Sequence, residues 1–233
     1  MSDQYQRYKN ICVFAERRGY ERISELKDGN IFKKEMQNDQ YVRLEYLNKK
    51  NGKPVLIYLF AKGSKYTEQS QQLKKILSKI KNPSDVILIS EFPLKSYSIK
   101  AISIFKHLRV KKYLHDNFSL IIPEGPMCHP HIIMSREEVI ELLNNQLNCT
   151  LFNLPKILDE DPQCIWIGAE VGDVVKIIMK SNINGEHIQY RTVVSNTGRL
   201  ISFRDDIKTN EEDVEDVDEE PIEIEDLQDD DLD

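Results

Sequence analysis

The stretch that most constrains this chain is Val55-Leu56-Ile57-Tyr58-Leu59-Phe60, an apolar run with no polar residue interleaved. A strand with one wet face alternates polar and apolar side chains, so an unbroken run rich in β-branched and aromatic residues predicts a strand covered on both faces. It follows Asn51-Gly52, a tight-turn signal, and the imperfect alternation from Gln40 to Leu47 predicts the other arm of a hairpin. Beyond the run, Leu73, Ile76, Leu77 and Ile80 recur at helical spacing in a basic segment that stops before Pro83. Val86 to Ile89 reads as a second buried strand, Ile99 to Phe105 as a short helix, and Tyr113 to Ile122 as extended chain. This βαβα order predicts a small, mostly parallel sheet and makes residues 1–124 an α/β domain. Ahead of it, Tyr8, Ile11, Cys12 and Ala15 share a helical face that ends at Arg18-Gly19-Tyr20, and a second short helix starts at Ser24 or nearer Ile31.

Pro123-Glu124-Gly125-Pro126 breaks the chain, and the pattern changes after it. Ser135 and Glu138 form a capping-box signature, and Val139, Ile140, Leu142, Leu143 and Leu147 give the apolar face of one helix. Asp161-Pro162 reads as a turn, Cys164 to Ile167 as a short strand, and Val174 to Met179 as a strand joined through Asn184-Gly185 to alternating Ile188, Tyr190, Thr192 and Val194. Residues 125–203 are therefore expected to form a small α+β domain, whose size favours permanent docking on a partner. Residues 204–233 are expected to be a disordered acidic tail. The formal charge of −7 hides this division: fifteen acidic and no basic residues lie within 211–233, so the remainder carries +8.

No run of apolar residues is long enough to span a bilayer, and Met1 to Asn10 is too polar for a secretory signal, so an intracellular protein is expected. Cys12, Cys128, Cys149 and Cys164 are too widely spaced for a zinc ribbon and fit ordinary thiols. His129 and His131 beside Cys128 lack the further ligands of a metal site, and Gly168 to Gly172 lacks phosphate-loop spacing. Asp39, Glu45 and Lys49 are not set as a metal nuclease requires. No cofactor is expected.

The C-terminal module resembles the fifth subunit shared by eukaryotic nuclear RNA polymerases, together with its archaeal counterpart. The resemblance runs through His129-Pro130-His131, Leu154-Pro155-Lys156-Ile157, Asp161-Pro162, Gly168, Gly172-Asp173-Val174-Val175-Lys176-Ile177, and Gly185 to Val194 with Tyr190-Arg191. A weaker likeness from Arg18-Gly19-Tyr20 through Val55 to Ile122 is similar to the additional jaw domain of the eukaryotic members. The lead-in Cys128-His129-Pro130-His131, the turn Ser181 to Asn184 and the acidic extension depart from the family pattern. These departures, with a two-domain architecture, would suit a version encoded by a large DNA virus.

The resemblance implies a non-catalytic polymerase subunit, without a cofactor of its own. Its C-terminal assembly domain would dock on the largest subunits and its jaw-like domain would lie near downstream double-stranded DNA. It also implies a nuclear location if the source is cellular, or the virion and host cell if it is viral. The residues implied in docking are His129, Pro130, His131, Pro155, Asp161, Pro162, Gly172, Asp173, Tyr190 and Arg191, several of them as backbone-shaping devices. Tyr190 and Arg191 fall on opposite faces of one strand, and the Arg191 guanidinium either reaches a partner or pairs within the domain. Lys62, Lys65, Lys74, Lys75, Lys79 and Lys81 are the DNA-proximal candidates, followed by Lys95, Lys100, Lys106, Arg109, Lys111 and Lys112. Lysines attract phosphates without reading bases, as sliding DNA requires. The acidic tail either keeps the chain soluble, binds a basic protein around Pro221, Ile222 and Ile224, or folds back on the lysines. A free-standing acidic interaction protein or chaperone is the rival reading.

Overall fold

A computed structural model describes residues 2–68, 70–181 and 185–195. The acidic tail, including Pro221, Ile222 and Ile224, and the turn residue Asn184 lie outside the described residues.

The first sheet has strand order β1 (Tyr20–Arg22), β2 (Tyr41–Asn48), β3 (Pro54–Phe60), β4 (Ser84–Ser90), β5 (Leu108–Leu114). The hairpin read around Asn51-Gly52 is β2–β3, with Gly52 at φ +66° and its N–H donated to Asn48 O. The sheet is mixed rather than mostly parallel, because β1, β2 and β3 pair antiparallel and only β3, β4 and β5 run parallel. α1 (Ser2–Arg17) and α2 (Gly29–Asn38) pack on one face, where Tyr8, Ile11, Phe14, Phe32 and Met36 meet Val42, Leu44, Val55, Ile57, Leu59, Ile87 and Ile89. α2 starts near Ile31 because the Asp28 carboxylate caps it, accepting from Asn30 N and Ile31 N. Between β3 and β4 lie α3 (Lys65–Glu68) and α4 (Ser70–Leu77), and between β4 and β5 lies α5 (Ser96–Ile102). Leu73, Ile76, Leu77 and Ile80 bury against Leu56, Tyr58, Phe60, Val86 and Leu88 on the opposite face. The apolar run is thus covered from both sides, as its lack of alternation requires.

The segment read as extended from Tyr113 to Ile122 departs from expectation. After β5 it tightens into 3₁₀ turns at His115–Phe118 and Ile122–Glu124. The Asn10 amide, on α1, donates to Phe118 O (2.9 Å) and Ser119 O (3.2 Å), satisfying carbonyls that a ladder would otherwise have used.

The second sheet has strand order β6 (His131–Ile133), β8 (Val174–Ser181), β9 (Gly185–Val194), β7 (Lys156–Leu158). α6 (Arg136–Glu141) begins with the expected capping box, but the helix does not continue regularly: Leu142–Leu147 is a π-helical turn stopped by Asn148 at φ +46°. The largest correction concerns Cys164 to Ile167, read as a strand and folded as α7 (Pro162–Ile167). Asp161 caps it through Gln163 N, Pro162 opens it, and Gly168 at φ +83° ends it. Its contiguous apolar residues are explained by burial on two sides: Cys164 joins the core of the second sheet, while Ile165 and Trp166 join that of the first. Trp166 is 1% exposed, packs edge-on to Phe14 with ring centroids 5.7 Å apart, and donates its indole N–H to Asn117 O at 2.9 Å. The two sheets belong to one packed unit.

Candidate docking face and nucleic-acid edge

Strand register sorts the second sheet into two faces. Val175, Ile177, Val193 and Ile157 point to the side covered by α7, where Cys164 and Ala169 complete a buried cluster. Val174, Tyr190 and Thr192 point the other way, beneath Val139, Leu151 and Leu154. That cover ends part-way along the hairpin. Ile132 lies opposite Lys176, and Ile178 opposite Ile188, so all four side chains share the second face beyond the last helical contact. Ile132 is 48% and Ile188 39% exposed. A half-bare β-sheet that leaves Ile132, Ile178 and Ile188 around Lys176 partly in water is an unusual surface.

The residues singled out for docking divide by what they touch. His129, Pro130, Pro155 and Pro162 are exposed. Pro130 O accepts from Ile178 N and Pro155 O from Thr192 N, so two of these prolines hold the margins of the sheet through their carbonyls. The His131 ring bonds His129 O at 2.7 Å. Asp161, Gly172 and Asp173 face inward: the Asp173 carboxylate accepts from Glu170 N at 2.7 Å, and Gly172, at φ +98°, donates to Val193 O. They shape backbone. Tyr190 is half-buried under α6, and Arg191 lies on the opposite face, with its Nε buried and without a hydrogen-bond partner among the described residues. The structure therefore does not bring Tyr190 and Arg191 together. Ile132, Ile178 and Ile188 escaped the sequence reading, although the alternation Ile188, Tyr190, Thr192 carried part of the signal.

The six lysines also separate. Lys62 and Lys65 follow β3 at the carboxyl ends of the parallel strands, whereas Lys74 and Lys75 project from the last turn of α4, and Lys79 and Lys81 lie toward the amino end of β4. All six are exposed. Arg109 and Lys111 are committed elsewhere: Lys111 Nζ is 2.8 Å from Glu170 Oε1, and Arg109 pairs with Oε2. Burial acts to raise the Glu170 pKa, but Lys111 and Arg109 outweigh it and hold the carboxyl below its ordinary range. Arg18 completes this seam, its guanidinium carbon 4.9 Å from the Phe14 ring centroid. The four cysteines are free thiols, and burial pushes Cys164 up to about 12. Among the described residues, no three His, Cys, Asp or Glu gather as a metal site, and no helix is long and apolar enough to cross a membrane.

The family model for the RNA polymerase Rpb5 C-terminal domain matches residues 122–193, the span that contains the second sheet up to the end of β9. The DNA-directed RNA polymerase subunit Rpo5 of Methanocaldococcus jannaschii is 45% identical over 64 residues, covering 28% of this chain and 81% of that protein. The chain belongs to the Rpb5/Rpo5 family of RNA polymerase subunits. Rpo5 of Archaeoglobus fulgidus is similar at 47% over 64 residues (28% of this chain, 83% of that protein), and Rpo5 of Methanococcus vannielii at 41% over 71 residues (30% and 90%). These archaeal Rpo5 chains correspond to about a third of the present one, and the family model leaves the first sheet outside its span. Within the Rpb5/Rpo5 module, the half-bare face and the α7 seam are both present.

Proposed function

We propose that this chain is a non-catalytic subunit of a multi-subunit DNA-directed RNA polymerase, attached to the largest subunits by residues 125–203 and holding residues 1–124 beside downstream duplex DNA. Family membership supports the subunit role. The observation that carries the docking half is the uncovered apolar face of Ile132, Ile178 and Ile188 within the very span the family model matches. Ile132 and Ile188 are less than half exposed, so removing the rest of each from water in a complex contributes about 1 kcal/mol apiece. His129, Pro130, His131 and Pro155 would border that interface, with Lys176 supplying a cation on the same face. Arg191 points to the opposite face with its Nε buried, so it would serve docking from the α7 side rather than at the bare face. Asp161, Pro162, Gly172, Asp173 and Tyr190 serve docking by fixing the shape of the face.

The exposed Lys62, Lys65, Lys74, Lys75, Lys79 and Lys81 support the second half, since they attract phosphates without sequence preference. The test is co-purification. Tagged wild-type chain is expected to recover the two largest polymerase subunits, and the double variant Ile178→Asp, Ile188→Asp to lose them while still folding. Recovery of those subunits by the folded double variant would defeat the docking face. Photocrosslinking of DNA just ahead of the enzyme to this chain tests the jaw, and its absence would remove the DNA-proximal role.

A further inference from the structure

The parallel pairing of β3 and β4 brings Leu59 opposite Ile89, so the chains leaving Phe60 and Ser90 emerge side by side at one edge of the sheet. The carboxyl ends of parallel strands are where open α/β sheets usually receive ligands. The two emerging loops are tied together: Glu91 Oε2 accepts from Gly63 N at 3.1 Å, and Lys62 Nζ is 3.9 Å from Glu91 Oε1. On this tied edge two large rings face solvent, Phe92 at 67% exposure and Tyr97 at 44%. Among the described residues, neither packs into the core clusters on either face of the sheet. Lys95 lies between them in sequence, its Nζ 6.0 Å from the Tyr97 ring centroid, and Lys62 and Lys65 stand on the neighbouring loop.

Charge selects the ligand. Residues 92–112 contain six basic side chains and no acidic one. Arg109 and Lys111 are spent on Glu170 and Lys62 is shared with Glu91 at 3.9 Å, whereas the exposed Lys65 and Lys95 have no acidic partner among the described residues and can act on something outside the chain. Exposed rings beside a predominantly cationic segment, whose neighbouring Glu91 is already held by Gly63 N and Lys62, are poorly matched to the basic body of a second copy of this chain. They match a polyanion that presents flat faces. In duplex DNA those faces are stacked on one another, whereas an unpaired strand offers them to aromatic side chains.

We infer that the β3–α3 and β4–α5 loops form a stacking platform for single-stranded nucleic acid, with Phe92 and Tyr97 against unpaired bases and Lys62, Lys65 and Lys95 along the phosphates. The inference deepens the nucleic-acid half of the preceding proposal and rests on it. It adds a preference for unpaired over paired strands, which lysines alone do not give.

Fluorescence anisotropy of the full-length chain tests it with three probes: an oligo-dT strand of about 12 nucleotides, the same length of abasic strand, and a duplex of equal length. The dT strand is expected to bind tighter than the abasic strand, which carries equal charge without bases. Phe92→Ala with Tyr97→Ala is expected to weaken dT binding about tenfold or more and leave duplex binding unchanged, and Phe92→Tyr to restore part of the loss. Unchanged thermal melting of the double alanine variant controls for folding. Equal binding of dT and abasic strands would overturn the platform while leaving the lysine–duplex reading intact. Loss of polymerase co-purification in the double alanine variant, with dT binding unchanged, would instead identify the rings as a protein contact and overturn it too.

Discussion

The two sheets solve the problem of cover differently. The first, with five strands, is sandwiched between α1 and α2 on one face and α4 and α5 on the other, and its central strands are buried almost throughout. The second, with four strands, is covered by α7 over the core around Val175, Ile177 and Val193. Its other face is clothed near Val174 and bare near Ile132 and Ile188. A sheet that completes its own core can serve as a rigid arm, while one that leaves apolar rows in water stores binding free energy for a partner. In the proposed function this contrast corresponds to attachment through the smaller sheet and reach through the larger one.

The strongest challenge to this contrast is Trp166, because it belongs to the core of the larger sheet although it is carried by the smaller module. Trp166→Ala should cost about 3–5 kcal/mol in denaturant unfolding of the whole unit. A loss below about 1 kcal/mol would show that the two cores are energetically separate. Next in size, Ile57→Ala, at the fully buried centre of β3, should destabilise the free chain by about 2–5 kcal/mol, whereas Ile188→Ala should cost it less than about 1 kcal/mol. Equal costs would mean that the second face is covered after all.

Glu170→Gln removes the clamp on Arg109 and Lys111. Since Glu170 and Arg109 are both partly solvated, the expected loss is about 1 kcal/mol or less. Its folded pKa is depressed, so the wild-type contribution is present above the ordinary carboxylate range and disappears as pH falls through the lowered value. The variant should therefore converge with wild type in acid. The smallest effect concerns His115, buried beside the end of β5, where burial and then the Arg7 guanidinium lower its pKa. The unfolded chain binds the proton more readily, so stability is intact above about pH 6.5 and declines as pH drops below it. His115→Phe should flatten that part of a melting-temperature profile from mildly alkaline to mildly acid pH. An unaltered slope would show that another group sets it.

Much of the larger sheet was legible because its signals are local. Unbroken apolar runs marked β3 and β4, Asn51-Gly52 marked the β2–β3 hairpin, and the stripe from Leu73 to Ile80 marked a helix. The capping box at Ser135 and Glu138 was visible for the same reason, since its partners are three residues apart. α7 was misread because a short apolar run has no periodicity to expose, and only its flanking Asp161-Pro162 and Gly168 carried the helical signature. The candidate docking face was half legible. Alternation shows which side chains share a face, but not which of them a helix will cover, and that depends on where the turn after α6 ends. The ring-bearing edge was hidden for a related reason: the carboxyl ends of β3 and β4 are neighbours only once the parallel pairing is known.

The close approach at Gly168 has a consequence for how the chain is made. A Cβ at that position would lie 2.7 Å from Arg18 Nε, so the residue that ends α7 and the arginine just beyond α1 occupy one another's space with nothing to spare. Arg18 leaves the ribosome long before Gly168 does. From the emergence of Phe118 until that of α7, Phe14 and Phe118 lack the Trp166 ring that will close over them, so the nascent arm carries an open aromatic socket. A product cut short before α7 would keep that socket permanently, presenting chaperones and proteases with a mark that full-length synthesis erases.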